Sequence, residues 1–232
     1  MDEKNRLKNK ELAIQLLTEK TNLKQNLYRQ VSEVFKDLKD VIEEVTNEIN
    51  ESLSGVDDNV YLEYEDKGSF EAQLKIGGDI LIFNMHTNIF DFSADHNIRQ
   101  FSYFYNEPYA TLSGIISIYN FLTDSFRFNR YNDLGYMIGR MFVNKDKHYM
   151  LEGKRQLGFL YNDYAGSEVT HQALKDIVYS AILVTLDFDL YVPPYDKVSV
   201  VSVETMMEAI NRSKGSTGKR LGFRFSADND EL

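Results

Sequence analysis

The hydrophobic and polar positions between residues 5 and 53 recur with helical spacing, and this segment contains neither glycine nor proline. Its apolar residues form a seam with alternating spacings of three and four, and a second stripe with a spacing of seven. Together they make a face wider than a two-stranded coiled coil needs, which suits a helix laid across a sheet or inside a bundle. The residues expected at the interface of this helix are Tyr28, Val31, Val34, Phe35, Leu38, Val41, Ile42 and Val45.

The length of this helix raises a question about what it packs on. Uninterrupted, it would measure about 74 Å, whereas a compact domain of this size has a radius of gyration of about 17 Å. Two interpretations stay open. The helix breaks near Thr18–Asn22, where apolar residues thin out, and packs within its own domain, or it continues and its outer half packs on another copy. Ser54-Gly55 is expected to end it.

Three strand-like runs follow the helix. Apolar residues alternate in Val60–Tyr64 and in Phe70–Ile76, and Asp79–Phe83 is almost continuously apolar. Gly77-Gly78 forms a two-residue connection of the kind that joins the strands of a hairpin. Residues Ile89–Phe92 extend the pattern, so we expect an antiparallel meander with the preceding helix available to cover one face.

Beyond the meander the pattern predicts mixed helices and short strands. Helical spacing from Pro108 to Leu122 and again from Leu134 to Phe142 predicts two helices, the second with Gly135 and Gly139 four residues apart. The remaining predictions are listed in chain order: strands at Tyr149–Leu151 and Leu157–Tyr161, a helix from Ser167-Glu168 through Val184, a strand at Val198–Val201, and a helix from Ser202 to about Asn211.

These elements predict an α+β fold and a division into three parts. Residues 1–54 form the long N-terminal helix, residues 55–211 an α+β domain, and residues 212–232 a polar C-terminal tail. Hydrophobic residues make up 43% of the chain, so a sizeable core is expected.

The amino-acid composition excludes several kinds of site and bears on the cellular location of the protein. The chain has no cysteine, which excludes disulfides, thiolate nucleophiles and cysteine-bound zinc and is compatible with the cytoplasm. The charged N-terminal residues do not resemble a secretory signal. The most apolar stretch, Ile177–Leu186, is too short to span a bilayer. We therefore expect a soluble cytoplasmic protein that does not interact with membranes.

The net charge of −10 is unevenly distributed. Residues 40–96 hold 14 acidic residues against two lysines, whereas the rest of the chain sums to about +2. Global acidity argues against a general nucleic-acid binder but leaves room for a local phosphate site.

A basic and aromatic patch is the most suggestive chemical feature. In the segment from Phe126 to Asp133, aromatic rings alternate with Arg127 and Arg130, an arrangement that can stack on bases and bind phosphates. Lys154 and Arg155 could complete an anion pocket with them. In the alternative interpretation, the rings are core residues and the arginines pair with the acidic half of the chain.

Other motifs fall short of a known site. The segment Ser213–Arg220 lacks the first glycine and the final hydroxyl of a phosphate-binding loop, and it follows a helix where a strand is required. Glu65-Asp66-Lys67 has the acid-x-Lys spacing of metal-dependent nucleases but no clear partner carboxylate. The histidines are too scattered for a local metal motif, although His86 and His96 could converge near Asp91 or Asp95. We predict neither a metal nor a cofactor.

Three functions are consistent with these features. The first is a non-catalytic interaction module that self-associates or docks into a larger assembly through its N-terminal helix. The second is a nucleotide- or nucleic-acid-binding protein that uses the Arg127/Arg130 patch, and the third is a metal-dependent phosphodiesterase or nuclease.

Overall fold

The fold is α+β, as predicted: a long N-terminal helix, a six-stranded antiparallel sheet and further helices. It is seen in a computed structural model that describes residues 3–57, 59–101, 103–104, 107, 109–159, 163–187, 192, 194–204 and 206–207. The chain divides into two compact units, residues 1–185 and residues 186–232. Within the described ranges, none of the helices combines the length and the apolar character that crossing a membrane requires.

The N-terminal helix does not break near Thr18–Asn22, which was one of the two interpretations left open by the sequence. Helix α1 (Glu3–Leu16) continues through a π-helical segment (Leu17–Thr21) into helix α2 (Asn22–Ser52). The backbone keeps right-handed helical dihedrals on both sides of the π segment, and the Asn22 N–H donates to the Leu17 carbonyl. This stretch contains neither glycine nor proline. The helix therefore continues across it through one wider turn, in which the backbone hydrogen bonds join residues five positions apart instead of four. Gly55, with φ of +94°, follows the C-terminus.

The sheet is a simple meander in which each strand pairs with the next. Its first three strands are those predicted, and the predicted two-residue turn joins the second to the third, with Ile76 opposite Asp79 and Gly77 at φ of +56°. Phe90 adds one isolated bridge to Ser113. The strands are β1 (Leu62–Asp66), β2 (Glu71–Ile76), β3 (Asp79–Met85), β4 (Ser113–Leu122), β5 (Tyr136–Asn144) and β6 (Tyr149–Gly153).

The two helices predicted between residues 108 and 142 are wrong, since these segments form strands β4 and β5. Both strands bury residues on both faces, because α2 packs on one side of the sheet and the loop after β3 covers part of the other. A run of apolar residues on both faces carries no strict alternation, so its spacing also matches a helix. A register shift between Ile118 and Tyr119 further disturbs the alternation.

The C-terminal predictions have mixed outcomes. Strand β6 confirms the strand at Tyr149–Leu151, and helix α5 (His171–Leu186) confirms the helix predicted through Val184. The strand predicted at Leu157–Tyr161 is wrong: Gln156–Phe159 is a short helix, α4, and residues 160–161 lie outside the described chain. A further short helix, α3 (Thr123–Arg127), follows β4.

The strand predicted at Val198–Val201 is also wrong, because helix α6 (Tyr195–Val198) occupies its start and no strand follows. Residues 203–204 and 206–207 are helical, in keeping with the helix predicted from Ser202, whereas residues 205 and 208–211 lie outside the described chain. The predicted tail, residues 212–232, also lies outside it.

The main core lies between one face of the sheet and helices α2 and α5. All six strands contribute residues to this face. Directly opposed residues of antiparallel strands project to the same side of the sheet, so the apolar positions of neighbouring strands meet there. A second, smaller cluster on the other face joins Ile98, Phe142, Met150 and Tyr164. The helix that was predicted to cover the meander therefore supplies one wall of the core.

Candidate functional site

The eight residues predicted at the helix interface lie in the core of a single chain. Seven of them are at most 2% exposed, and Tyr28 is partly buried against the same cluster. They pack on the chain's own sheet, because their stripe is wide enough to span several strands. In this arrangement they do not present a surface to a second copy.

The free surface of the helix lies before this stripe. No residue with a described side chain is buried between Asn5 and Asn26, and every residue from 5 to 19 is exposed. We call residues 3–26 the N-terminal arm. Its large apolar side chains are also exposed, with Leu7 at 57% and Leu17 at 62%. The other exposed apolar residues of the arm are Leu12, Ile14 and Leu16.

Helix α2 is tied to helix α5 by an ion network at the edge of the core. Lys175 Nζ lies 2.9 Å from Glu44 Oε1 and 2.6 Å from Glu48 Oε1, and the Tyr179 hydroxyl donates to Glu48. The lysine hydrogen bonds lower the pKa of both carboxyl groups, and the two carboxylates raise the pKa of Lys175. These groups are engaged within the chain and are not available to a ligand.

The two arginines of the predicted anion patch have different environments. Arg127, at the end of α3, is exposed, and its guanidinium lies 5.4 Å from the centre of the Phe128 ring. The Arg130 side chain is only 12% exposed, and its Nε lies 2.8 Å from Asp133 Oδ2, which also accepts from the Ser125 hydroxyl. The structure thus assigns Arg130 to a local ion pair and leaves Arg127 exposed.

Lys154 and Arg155 leave the sheet at the end where the Arg127 segment lies. Gly153 at the end of β6 pairs with Gly139, close to the start of β5, and the loop that contains Arg127 connects β4 to that start. The Lys154 N–H donates to the Ile138 carbonyl, and Arg155 has a φ of +52°. The meander therefore brings the two basic segments to one end of the sheet.

Three of the four histidines have a hydrogen-bond or ion-pair partner, whereas the buried Nδ1 of His148 has no hydrogen-bond partner in the part of the chain that the structure describes. His86 and His96 accept, through Nδ1, a hydrogen bond from the backbone N–H two residues later. His171 Nε2 lies 2.8 Å from Glu44, and His148 packs on an aromatic ring. Among the described residues no three acidic or histidine side chains are grouped so as to hold a metal ion.

The acid-x-Lys segment and the acids beside His86 and His96 also have partners. Lys67 pairs with Glu65 across the turn between β1 and β2. The Asp91 carboxylate accepts from Arg99 Nη2 at 2.7 Å and from the Thr111 hydroxyl at 2.6 Å. These contacts hold turns and loops together and do not converge on a site.

The opposite end of the sheet carries a polar cluster that the sequence did not reveal. Asn144 Nδ2 donates to the Tyr103 hydroxyl at 3.2 Å, and that hydroxyl donates to Asp146. Burial, followed by the hydrogen bond to Asp146, raises the pKa of Tyr103. Burial acts to raise the pKa of Asp146, but the hydrogen bonds from Tyr103 and Lys145 outweigh it and lower that pKa. Residues separated by more than 40 positions meet here, so no local motif could have predicted the cluster.

A cavity of about 390 Å³ lies in the loop between β3 and β4. Arg99 lines it but is held by Asp91 and by the carbonyls of Phe92 and Ser93. The hydrogen bond from Ser93 is the main cause that lowers the pKa of Asp95. The cavity is lined by Ala94, Asp95, His96, Arg99, Gln100 and Phe104.

Comparisons with protein-family models, with curated proteins and with solved structures find no match for this chain.

Proposed function

We propose that this chain is a non-catalytic interaction module that self-associates or docks into a larger assembly through its N-terminal helix. The observation that carries the proposal is the N-terminal arm, a helical segment that is exposed on all sides from residue 5 to residue 19, with five large apolar side chains among its exposed residues. A cytoplasmic location belongs to the proposal, and the absence of cysteine is compatible with it.

An unpacked helix of this kind is costly to maintain alone. Most helical stability in proteins comes from the tertiary packing of one face and not from the helix propensity of the residues. The arm receives no such packing between residues 5 and 19, whereas α2 is anchored by its buried stripe. A contact that covers the arm would supply the missing packing.

Sedimentation velocity at low and high micromolar concentration tests this proposal. We expect the wild-type chain to associate with increasing concentration, and the double variant Ile14→Ser with Leu17→Ser to associate less, because both residues are exposed and apolar and lie on one face of the helix. Asn5→Ser with Asn9→Ser is a matched control on the same exposed segment. A wild-type chain that stays monomeric, with arm amides that exchange hydrogen at the rate of an unprotected peptide, would contradict self-association.

A second candidate function is nucleotide or nucleic-acid binding at the basic end of the sheet. It is supported by the exposure of Phe126, Arg127 and Tyr131 beside the segment that contains Lys154. Rings and guanidiniums that reach solvent together can stack on bases and contact phosphates. Arg130 is left out of this proposal because its side chain is mostly buried and forms a local ion pair with Asp133.

Fluorescence anisotropy with a labelled single-stranded oligonucleotide at low salt tests the second candidate. We expect Arg127→Ala with Lys154→Ala to weaken binding and Lys67→Ala, at the turn between β1 and β2, to leave it unchanged. Binding that is absent at low salt would rule the candidate out. The phosphodiesterase alternative has no supporting observation, since the described residues contain no grouped metal ligands.

A further inference from the structure

We infer that the partner of the N-terminal helix is a second copy of this chain, bound antiparallel, with the arm of each copy lying along α2 of the other. This inference rests on the proposed function and specifies the partner and its orientation. It is carried by the distribution of charge along the helix and by the exposure of those charges.

The two halves of the N-terminal helix carry net charges of opposite sign. The N-terminal arm has six basic and three acidic residues, a net charge of +3. Residues 27–52 have three basic and seven acidic residues, a net charge of −4. An antiparallel pair of identical helices places each positive half against a negative half, whereas a parallel pair would place like charges together.

The charges needed for this contact point to solvent. Five carboxylates of α2 are exposed and form no ion pair with another described residue. We call them the acidic stripe, because their spacing puts them on one side of the helix, opposite the buried face. The acidic stripe consists of Glu33, Asp37, Asp40, Glu43 and Glu51. In the arm, Arg6 and Lys10 lie one turn apart on the same face, and both are likewise exposed and free of ion pairs with described residues.

This charge distribution is unfavourable for the helix by itself. The macrodipole favours anions near a helix N-terminus and cations near its C-terminus, and here both ends carry the opposite sign. Like charges also stand one turn apart, as in Arg6 with Lys10 and in Glu33 with Asp37. An antiparallel neighbour offsets both effects, because its opposite charges and its reversed dipole lie alongside.

The two halves also match in length. The arm of 24 residues is about 36 Å long, and the 26 residues from 27 to 52 span about 39 Å. A two-fold axis near the junction of the halves therefore lets each arm cover the acidic stripe of the partner from end to end. Ile14 and Leu17, which share the face of Arg6 and Lys10, then gain packing against the aliphatic stems of the charged side chains.

Charge reversal tests the electrostatic part of the inference. We expect the arm variant Arg6→Glu, Lys10→Glu and the stripe variant Asp40→Lys, Glu43→Lys, Glu51→Lys each to raise the dimer Kd about tenfold or more, and an equimolar mixture of the two to restore association. Added salt should weaken the wild-type dimer. Lys147→Glu, an exposed change on the β5–β6 turn, is the control for altered net charge.

Cross-linking tests the orientation, since the natural chain has no cysteine. With a short bifunctional maleimide, we expect a mixture of the Arg6→Cys and Asn47→Cys variants to give a cross-linked dimer, and either variant alone to give little. A cross-linked dimer from Arg6→Cys alone would show a parallel pair and overturn the inference.

The outcomes separate this inference from the proposed function. A wild-type dimer that depends on Ile14 and Leu17 but is insensitive to both charge reversals would refute the antiparallel contact and leave the interaction module standing. A wild-type chain that stays monomeric at all concentrations would refute the second copy as the partner and, with it, self-association. The reversed arm places carboxylates near the helix N-terminus, where the macrodipole favours them, so lost association would not reflect a weakened helix.

Discussion

Gly114 of strand β4 lies directly beneath Val31 of helix α2: a Cβ atom on residue 114 would stand 2.4 Å from Val31 Cγ2. Non-bonded carbon atoms ordinarily lie about 3.5–4.0 Å apart. The helix therefore rests on the backbone of this strand, and any side chain larger than hydrogen at position 114 would push it away.

Gly114→Ala is expected to destabilise the fold by about 1–3 kcal/mol, because the added methyl group overpacks the contact. Chemical denaturation gives the free energy of unfolding. The same substitution at Gly139, in the neighbouring strand β5, is the control, since the nearest atom to a Cβ there is 3.5 Å away. Adding Val31→Ala should recover part of the loss caused by Gly114→Ala, and a strictly additive double variant would contradict the contact.

The ion network of Lys175 should make stability depend on acid pH. Hydrogen bonds from Lys175 lower the pKa of Glu44 and Glu48 from an ordinary value of 4.5. A lowered pKa stabilises the folded state above the unfolded pKa, and that stabilisation is lost as the pH falls through the folded pKa. The stability difference between the wild type and Lys175→Met should thus be constant from neutral pH down to about 4.5 and shrink below it. Denaturation midpoints measured across this range check the prediction, which a difference that grew in acid would contradict.

The stability of the fold at alkaline pH should depend on Tyr64, because the pKa of its phenol is raised. Burial and then the charges of Asp66, Glu43 and Asp40 raise its pKa to about 12. Since the unfolded phenol loses its proton at a lower pH, stability should fall as the pH rises from 10 towards 12. Ultraviolet titration of tyrosinate should lose a late-ionising group in Tyr64→Phe, and the alkaline loss of stability should be smaller. An unchanged titration would contradict the assignment.

Arg130 and Asp133 should behave as a structural pair. Asp133→Ala is expected to cost about 1–3 kcal/mol, because it leaves a mostly buried guanidinium without its counter-ion. Arg127→Ala, at an exposed position of the same segment, should change stability by about 0.5 kcal/mol or less. Thermal unfolding of Asp133→Ala, Arg130→Met and the double variant measures the coupling between the two side chains, with Arg127→Ala as the control. If Asp133→Ala were as mild as Arg127→Ala, the pair would have no structural role.

The local part of the fold was predictable. Helical spacing identified α2 and α5, and alternation with a glycine turn identified β1, β2 and β3, because each pattern is set by the geometry of one element and its neighbours. Strands β4 and β5 were predicted as helices because a strand that is buried on both faces loses the alternation that distinguishes it.

The candidate site residues likewise include some that the sequence predicted and some that it did not. The sequence identified Arg127, Arg130, Lys154 and Arg155, but only the structure distinguishes the exposed Arg127 from the ion-paired Arg130. The cluster of Tyr103, Asn144 and Asp146 had no sequence signal, since loop closure alone brings its members together.

By itself the sequence determined that a long helix would form and that one wide apolar stripe would be buried, because both follow from helical spacing along 49 continuous positions without a breaker. Only the tertiary structure decided what that stripe covers. The stripe packs on the chain's own sheet, so the surface left for a partner is the arm before it and the acidic stripe opposite it. Spacing identifies which residues share a face, whereas the partner of that face depends on contacts between residues far apart in the chain.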